Sequence, residues 1–112
     1  MSDNQHPLEV DCDEVKARIA TDDVLLLDCR EQEEFDVVHI PGAMLLPMSQ
    51  LQVRVDELAA FREKEIVVLC HHGIRSLDVA TWLHKQGFAS VKSLAGGIDR
   101  WAQQIDPTLP RY

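Results

Sequence analysis

Apolar residues along this chain fall into short unbroken runs, with stretches between them where apolar positions recur every three or four residues. Val24 to Leu27 and Ile66 to Leu69 are the two clearest runs. A strand covered on both faces reads this way, with no polar alternation. Pro7 to Val10, Ala43 to Leu46 and Val91 to Leu94 are shorter candidates of the same kind. Between them the period changes to that of helices. Asp11 reads as an N-cap, with Glu14 completing a capping box and Val15 and Ile19 on one face. Thr21-Asp22-Asp23 reads as a turn. Glu31 to Val37 reads as a short acidic helix, and Pro41-Gly42 as a turn. Leu51, Val55, Leu58 and Ala59 predict a helix to about Phe61 behind an N-cap at Ser49. Leu77, Val79, Ala80 and Leu83 predict another, capped by Ser76 and closed before Gly87. A tight turn at Gly96-Gly97 precedes a last helix from Ile98 to about Gln104.

Strands and helices therefore alternate over short connections. The expected product is an α/β domain, with a mainly parallel sheet of about five strands and helices on both faces. Its core spans about residues 8–105 of a single domain, with a short irregular tail at 106–112. Parallel sheets place sites at the carboxyl ends of strands. Three such ends carry unusual residues: Asp28-Cys29-Arg30, the stretch from Cys70 to Arg75, and Ala95-Gly96-Gly97.

Composition narrows the function. The 112 residues carry a formal charge of -8, which argues against nonspecific binding to nucleic acid or anionic lipid. The acidity is uneven: residues 1–40 hold 12 acids and 3 bases, net -9, while residues 41–112 hold 7 acids and 8 bases, net +1. The three cysteines, Cys12, Cys29 and Cys70, are odd in number and widely spaced, so no disulfide framework or CxxC pair is suggested. No basic-then-apolar leader is visible, and the apolar runs are too short to span a bilayer. A reducing, cytoplasmic location is the expectation.

The richest chemistry lies in Cys70-His71-His72-Gly73-Ile74-Arg75-Ser76, which joins a strand to a helix. A tight loop there turns backbone N–H groups inward, and the helix start adds more at its positive end. A sulfur at the centre is held as thiolate below the roughly 8.5 of a free cysteine. Such a nucleophile needs no histidine base. Gly73 lets the backbone turn, and Arg75 binds an oxyanion or braces loop carbonyls. His71 and His72 line the mouth. Adjacent histidines strain around one ion and no second ligand pair has metal spacing, so no metal or other cofactor is expected. Asp28 either holds Arg75 or loop N–H groups, or braces the fold with Arg30. Cys29 reads as a structural thiol, Cys12 as an ordinary helix residue, His39 as a turn residue and His84 as solvated. Trp82 and Trp101 read as packing residues, and Gly96 and Gly97 as a close backbone approach beside the Cys70 loop.

Three stretches together resemble the single-domain rhodaneses, which are sulfurtransferases. Asp28 to Phe35, continuing through His39-Ile40-Pro41-Gly42-Ala43, is similar to the family's first signature. Cys70 to Ser76 is similar to its active-site loop, and Leu94 to Trp101 to its closing signature. The resemblance implies that Cys70 takes a sulfane sulfur from a donor such as thiosulfate. The resulting persulfide is held by the backbone N–H groups of residues 71–75 and passes its sulfur to cyanide or a thiol. It also implies that Arg75 binds anions and braces the loop. The partners implied are a small sulfur-donor anion and a thiol acceptor, with a protein admissible in either role. One departure is His71, with His72 beside it, where many members carry Arg or Lys; charge there depends on pH. Two alternatives differ in class. One is a cysteine-based phosphatase or arsenate reductase of related fold, although phosphatase loops carry five residues between Cys and Arg where this chain has four. The other is a catalytically silent protein-binding module.

Overall fold

The computed structural model describes residues 6–21 and 24–111. Asp22 and Asp23 of the expected turn lie outside the described residues. The chain forms β1 (Glu9–Val10), α1 (Cys12–Ile19), β2 (Val24–Asp28), α2 (Gln32–Val37), β3 (Met44–Leu45), α3 (Leu51–Arg54), β4 (Glu65–Leu69), α4 (Ile74–Lys85), β5 (Ser90–Leu94) and α5 (Gly97–Gln104). The five strands make one sheet in the order β1-β5-β4-β2-β3, with every pairing parallel.

Alternate strand residues feed two cores on opposite faces of the sheet. Leu27, Ile66, Val68 and Val91 meet Leu51, Leu58, Val79, Ala80 and Leu83 on one side. Leu26, Val67, Leu69 and Leu94 meet Val15, Val38, Ile40, Ile98 and Trp101 on the other. This two-sided cover is why β2 and β4 read as unbroken apolar runs. Each fully buried aliphatic side chain stabilises the fold by about 1.5–3 kcal/mol. Trp101 is buried, and Trp82 is half-buried against the first core. No helix of the described residues is long and apolar enough to cross a membrane.

Two helix starts differ from the pattern. At α1, Asp11 accepts from the Glu14 N–H at 2.9 Å, but the Glu14 carboxylate pairs with Arg18 at 3.4 Å rather than closing a capping box. The long helix expected from Ser49 to Phe61 is only one α turn, flanked by 3-10 segments at Met48–Gln50 and Val55–Phe61. Three residues per turn line up positions i and i+3. Val55, Leu58 and Phe61 therefore share the inward side, while Ala59 is exposed. Ser49 caps nothing: its hydroxyl donates to Glu31 at 2.6 Å.

Candidate active site

β4 delivers Cys70 at its carboxyl end, and four residues later the chain is already helical. Gly73 makes that possible. Its φ of +102° lies in the left-handed region, and a Cβ there would press on the Gly96 nitrogen at 3.2 Å. Gly73 is thus the N-cap, three residues before the expected cap at Ser76, and α4 starts at Ile74. The early start draws Ser76 inside the first turn. The N–H groups of Gly73 and Ser76 donate to Cys70 Sγ at 3.1 and 3.3 Å. The Ser76 hydroxyl lies 3.4 Å from the same sulfur and 2.7 Å from the Ser93 hydroxyl on β5.

The sulfur has a further partner that sequence reasoning missed. Cys29 sits one step beyond β2 as Cys70 sits one step beyond β4, and the last paired residues are Asp28 and Leu69. The ladder continues past them, since the Cys29 N–H donates to the Leu69 carbonyl at 3.0 Å. Both side chains belong to the same core and are buried. The register sets the Cys29 thiol beside the Cys70 sulfur. The neighbouring Cys29 thiol, followed by the Ser76 hydroxyl and the N–H groups of Ser76 and Gly73, outweighs burial and lowers the Cys70 pKa to about 4. The neighbouring Cys70 sulfur and its own burial push the Cys29 thiol far up. The negative charge belongs on Cys70, because only that sulfur faces two backbone donors and a hydroxyl. The signal available was strand parity: Leu25, Leu27 and Cys29 alternate onto one face, as do Ile66, Val68 and Cys70. Cys12 lies in the other core, and burial raises it to about 11.

The charged residues are arranged differently from the expectation. Arg75 braces no loop carbonyl; its guanidinium grips both carboxylate oxygens of Glu34 on α2, at 2.7 and 2.8 Å. Glu34 lies within the first signature stretch but carried no assigned role. Its carboxylate also accepts the Glu31 N–H at 3.1 Å, capping α2. Asp28 holds neither Arg75 nor the loop. It is fully buried against Arg30, whose Nη2 lies 2.7 Å from its carboxylate. The same guanidinium donates to the carbonyls of Glu34 at 3.3 Å and Val38 at 2.7 Å. Arg30 therefore ties the end of β2 to α2, and α2 presents Glu34 to Arg75.

Over the sulfur lies a shallow pocket of about 320 Å³ lined by Cys70, His71, His72, Ile74 and Arg75. Ile74 is 77% exposed at its rim. The two histidine rings stack with centroids 4.0 Å apart. α5 closes the other side: the Ile98 and Asp99 N–H groups donate to the Cys70 and His71 carbonyls at 2.8 and 3.1 Å. A Cβ on Gly97 would collide with those same carbonyl oxygens. The fold also brings Asp99 to His71 and His72, with ligand atoms within 4.8 Å of one another. Sequence spacing did not show that third group. The Asp99 carboxylate is already held by Arg111 at 2.9 Å and Gln103 at 3.0 Å. A larger groove of about 500 Å³, lined by Met48, Leu51, Val53, Val79 and Trp82 among others, includes none of residues 70–75. His84 is exposed on α4, and His39 stacks on Phe35 with its Nδ1 3.0 Å from the Phe35 carbonyl.

A buried cysteine at a parallel strand's end, with N–H groups of the following loop and helix start turned onto its sulfur, defines a class of α/β domain. Within that class, residues 11–104 match the rhodanese-like domain, and the chain belongs to that family. It is 40% identical over 79 residues to the thiosulfate sulfurtransferase GlpE of Coxiella burnetii, covering 70% of this chain and 72% of that protein. It is 37% identical over 93 residues to the chloroplastic rhodanese-like/PpiC domain-containing protein 12 of Arabidopsis thaliana. That match takes in 81% of this chain but spans only 31% of the longer relative. Among solved structures, the rhodanese-related protein of Thermoplasma volcanium superposes with a TM-score of 0.80 at 25% identity, over 93% of this chain and 98% of that one. The relatives thus include named sulfurtransferases.

Proposed function

We propose that this protein is a sulfurtransferase that carries sulfane sulfur on Cys70. The observation that carries the reading is the ring of donors around Cys70 Sγ, from Gly73 N–H, Ser76 N–H and the Ser76 hydroxyl. In the first half-reaction the thiolate attacks the outer sulfur of thiosulfate. A new S–S bond forms, the old one breaks, and sulfite leaves with the electron pair. In the second, cyanide or a thiolate attacks the terminal sulfur of the persulfide, and Cys70 leaves again as thiolate. Both steps keep one negative charge at the loop, so the same N–H groups serve each state. His71, His72 and Ile74 line the donor's approach. Arg75 acts with Glu34 as a brace between α4 and α2, a role that differs from a free anion-binding fork. Its engagement by a carboxylate, together with the four-residue Cys–Arg spacing, weighs against a phosphatase. A thiolate of this kind persists in a reducing, cytoplasmic compartment.

The test is intact mass after exposure to thiosulfate. A gain of about 32 Da, lost on adding cyanide and missing in Cys70→Ser, is the result expected from a cysteine persulfide. Turnover of thiosulfate with cyanide should vanish in the same variant. No gain with any of several sulfur donors overturns the reading, and Cys70-dependent hydrolysis of an aryl phosphate would replace it with phosphatase chemistry.

A further inference from the structure

We propose that Cys29 is a resolving thiol: when a hydroperoxide oxidises Cys70, Cys29 closes a reversible disulfide with it. The inference rests on the Cys70 thiolate of the preceding section and adds to it a second functional sulfur and a modification site.

The geometry comes from the sheet. Asp28 pairs with Leu69 in the β2–β4 register, so Cys29 stands level with Cys70 one step further on. The hydrogen bond from the Cys29 N–H to the Leu69 carbonyl keeps the two chains paired at that step. Parallel neighbours lie about 4.7–4.9 Å apart. That is inside the Cα separation of about 4.4–6.8 Å that a disulfide spans. Strand parity points both side chains into the same core. Cys12 cannot compete, because it lies in the core on the opposite face of the sheet. Cys70 is also the one cysteine that lines the pocket at the loop mouth, so it meets a small oxidant first.

The chemistry balances. The Cys70 thiolate attacks one oxygen of the hydroperoxide, giving Cys70 sulfenic acid and hydroxide, or alkoxide from an organic peroxide. The sulfur loses two electrons and the peroxide gains them. Cys29 is protonated while its neighbour is an anion, and the sulfenic acid removes that anion. The Cys29 sulfur then attacks Cys70 Sγ, the S–O bond breaks, and the sulfenic oxygen leaves with the thiol proton as water. An external dithiol restores both thiols by exchange. Without Cys29 the sulfenic acid goes on to sulfinic acid, which thiols do not reverse.

The experiment treats the full chain with hydrogen peroxide, then reads intact mass, non-reducing peptide maps and sulfur transfer before and after dithiothreitol. Wild type should lose about 2 Da as one disulfide forms. Its map should contain a Cys29–Cys70 cross-linked peptide, and dithiothreitol should restore its activity. Cys29→Ser should instead gain about 32 Da at Cys70 as sulfinic acid and stay inactive after dithiothreitol. A wild-type map with Cys70 sulfinic acid and no cross-link overturns the proposal, whatever the variant does. Alkylation of untreated protein by iodoacetamide at mildly acid pH separates the two readings. If Cys70 is not alkylated, the thiolate reading itself fails. If it is alkylated yet never cross-links to Cys29, only the resolving role fails.

Discussion

Ser76→Ala isolates one of the donors that hold the Cys70 charge. The substitution deletes the hydroxyl 3.4 Å from Sγ and leaves the Ser76 backbone N–H in place. Alanine suits a helix interior, so the start of α4 is preserved. A hydrogen bond to a charged group contributes about 1.5–3 kcal/mol. The long O···S distance sets this one near the bottom, about 1.5 kcal/mol, and one pKa unit corresponds to about 1.36 kcal/mol. The Cys70 pKa should therefore rise from about 4 to about 5. The sign is fixed: losing a donor to the anion favours the thiol, so reactivity at a given acid pH falls. At neutral pH both proteins remain almost wholly thiolate. The assay is the rate of Cys70 alkylation by iodoacetamide against pH, followed by intact mass. Cys12 and Cys29 are buried and protonated and stay silent. Thermal denaturation alongside measures the separate cost to the Ser93 hydroxyl, which loses its partner at 2.7 Å. An alkylation midpoint that stays put or moves down would refute the claim that the Ser76 hydroxyl donates to the thiolate.

Two more substitutions test the scaffold. Arg30→Leu strips a buried carboxylate of its partner and frees the carbonyls of Glu34 and Val38. Removing one half of a buried pair costs about 3–5 kcal/mol, so the urea midpoint should fall sharply; a loss under about 1 kcal/mol, typical of surface pairs, would contradict the buried assignment. Gly97→Ala puts a methyl group into the Cys70 and His71 carbonyls at a φ of +62°. The left-handed backbone costs about 1–2 kcal/mol and the collision about 1–3 more. Destabilisation of about 2–5 kcal/mol with loss of the thiolate's acid-range reactivity is expected, and a variant with wild-type melting would show that the close approach is absent in solution.

What the sequence disclosed follows the kind of signal each feature leaves. β2 and β4 were legible because burial on both faces leaves unbroken apolar runs. The loop was legible because a cysteine, glycine and arginine at a strand-to-helix junction have few other readings. The start of α4 was not, because Ser76 has the side chain of a cap, while the cap is set by the left-handed turn at Gly73. The 3-10 segment was hidden because Val55, Leu58 and Phe61 satisfy its period while Leu51, Val55, Leu58 and Ala59 satisfy that of an α-helix. The partners of Arg75 and Cys70 were hidden for a different reason. Glu34 and Cys29 lie 41 residues away from them in sequence, and only strand order brings them close.

α2 has no buried residue of its own, yet it forms a wall of the site. What fixes it is the Arg30 guanidinium beneath and the Arg75–Glu34 pair beside it. Apolar burial strengthens on warming from the cold, whereas charged contacts respond to ionic strength and acid. The wall and the rest of the domain therefore answer to different conditions. High salt or low pH that leaves the sheet intact should act on the half-exposed Arg75–Glu34 pair and loosen residues 32–37, with amide exchange there faster than in β4 as the expected readout.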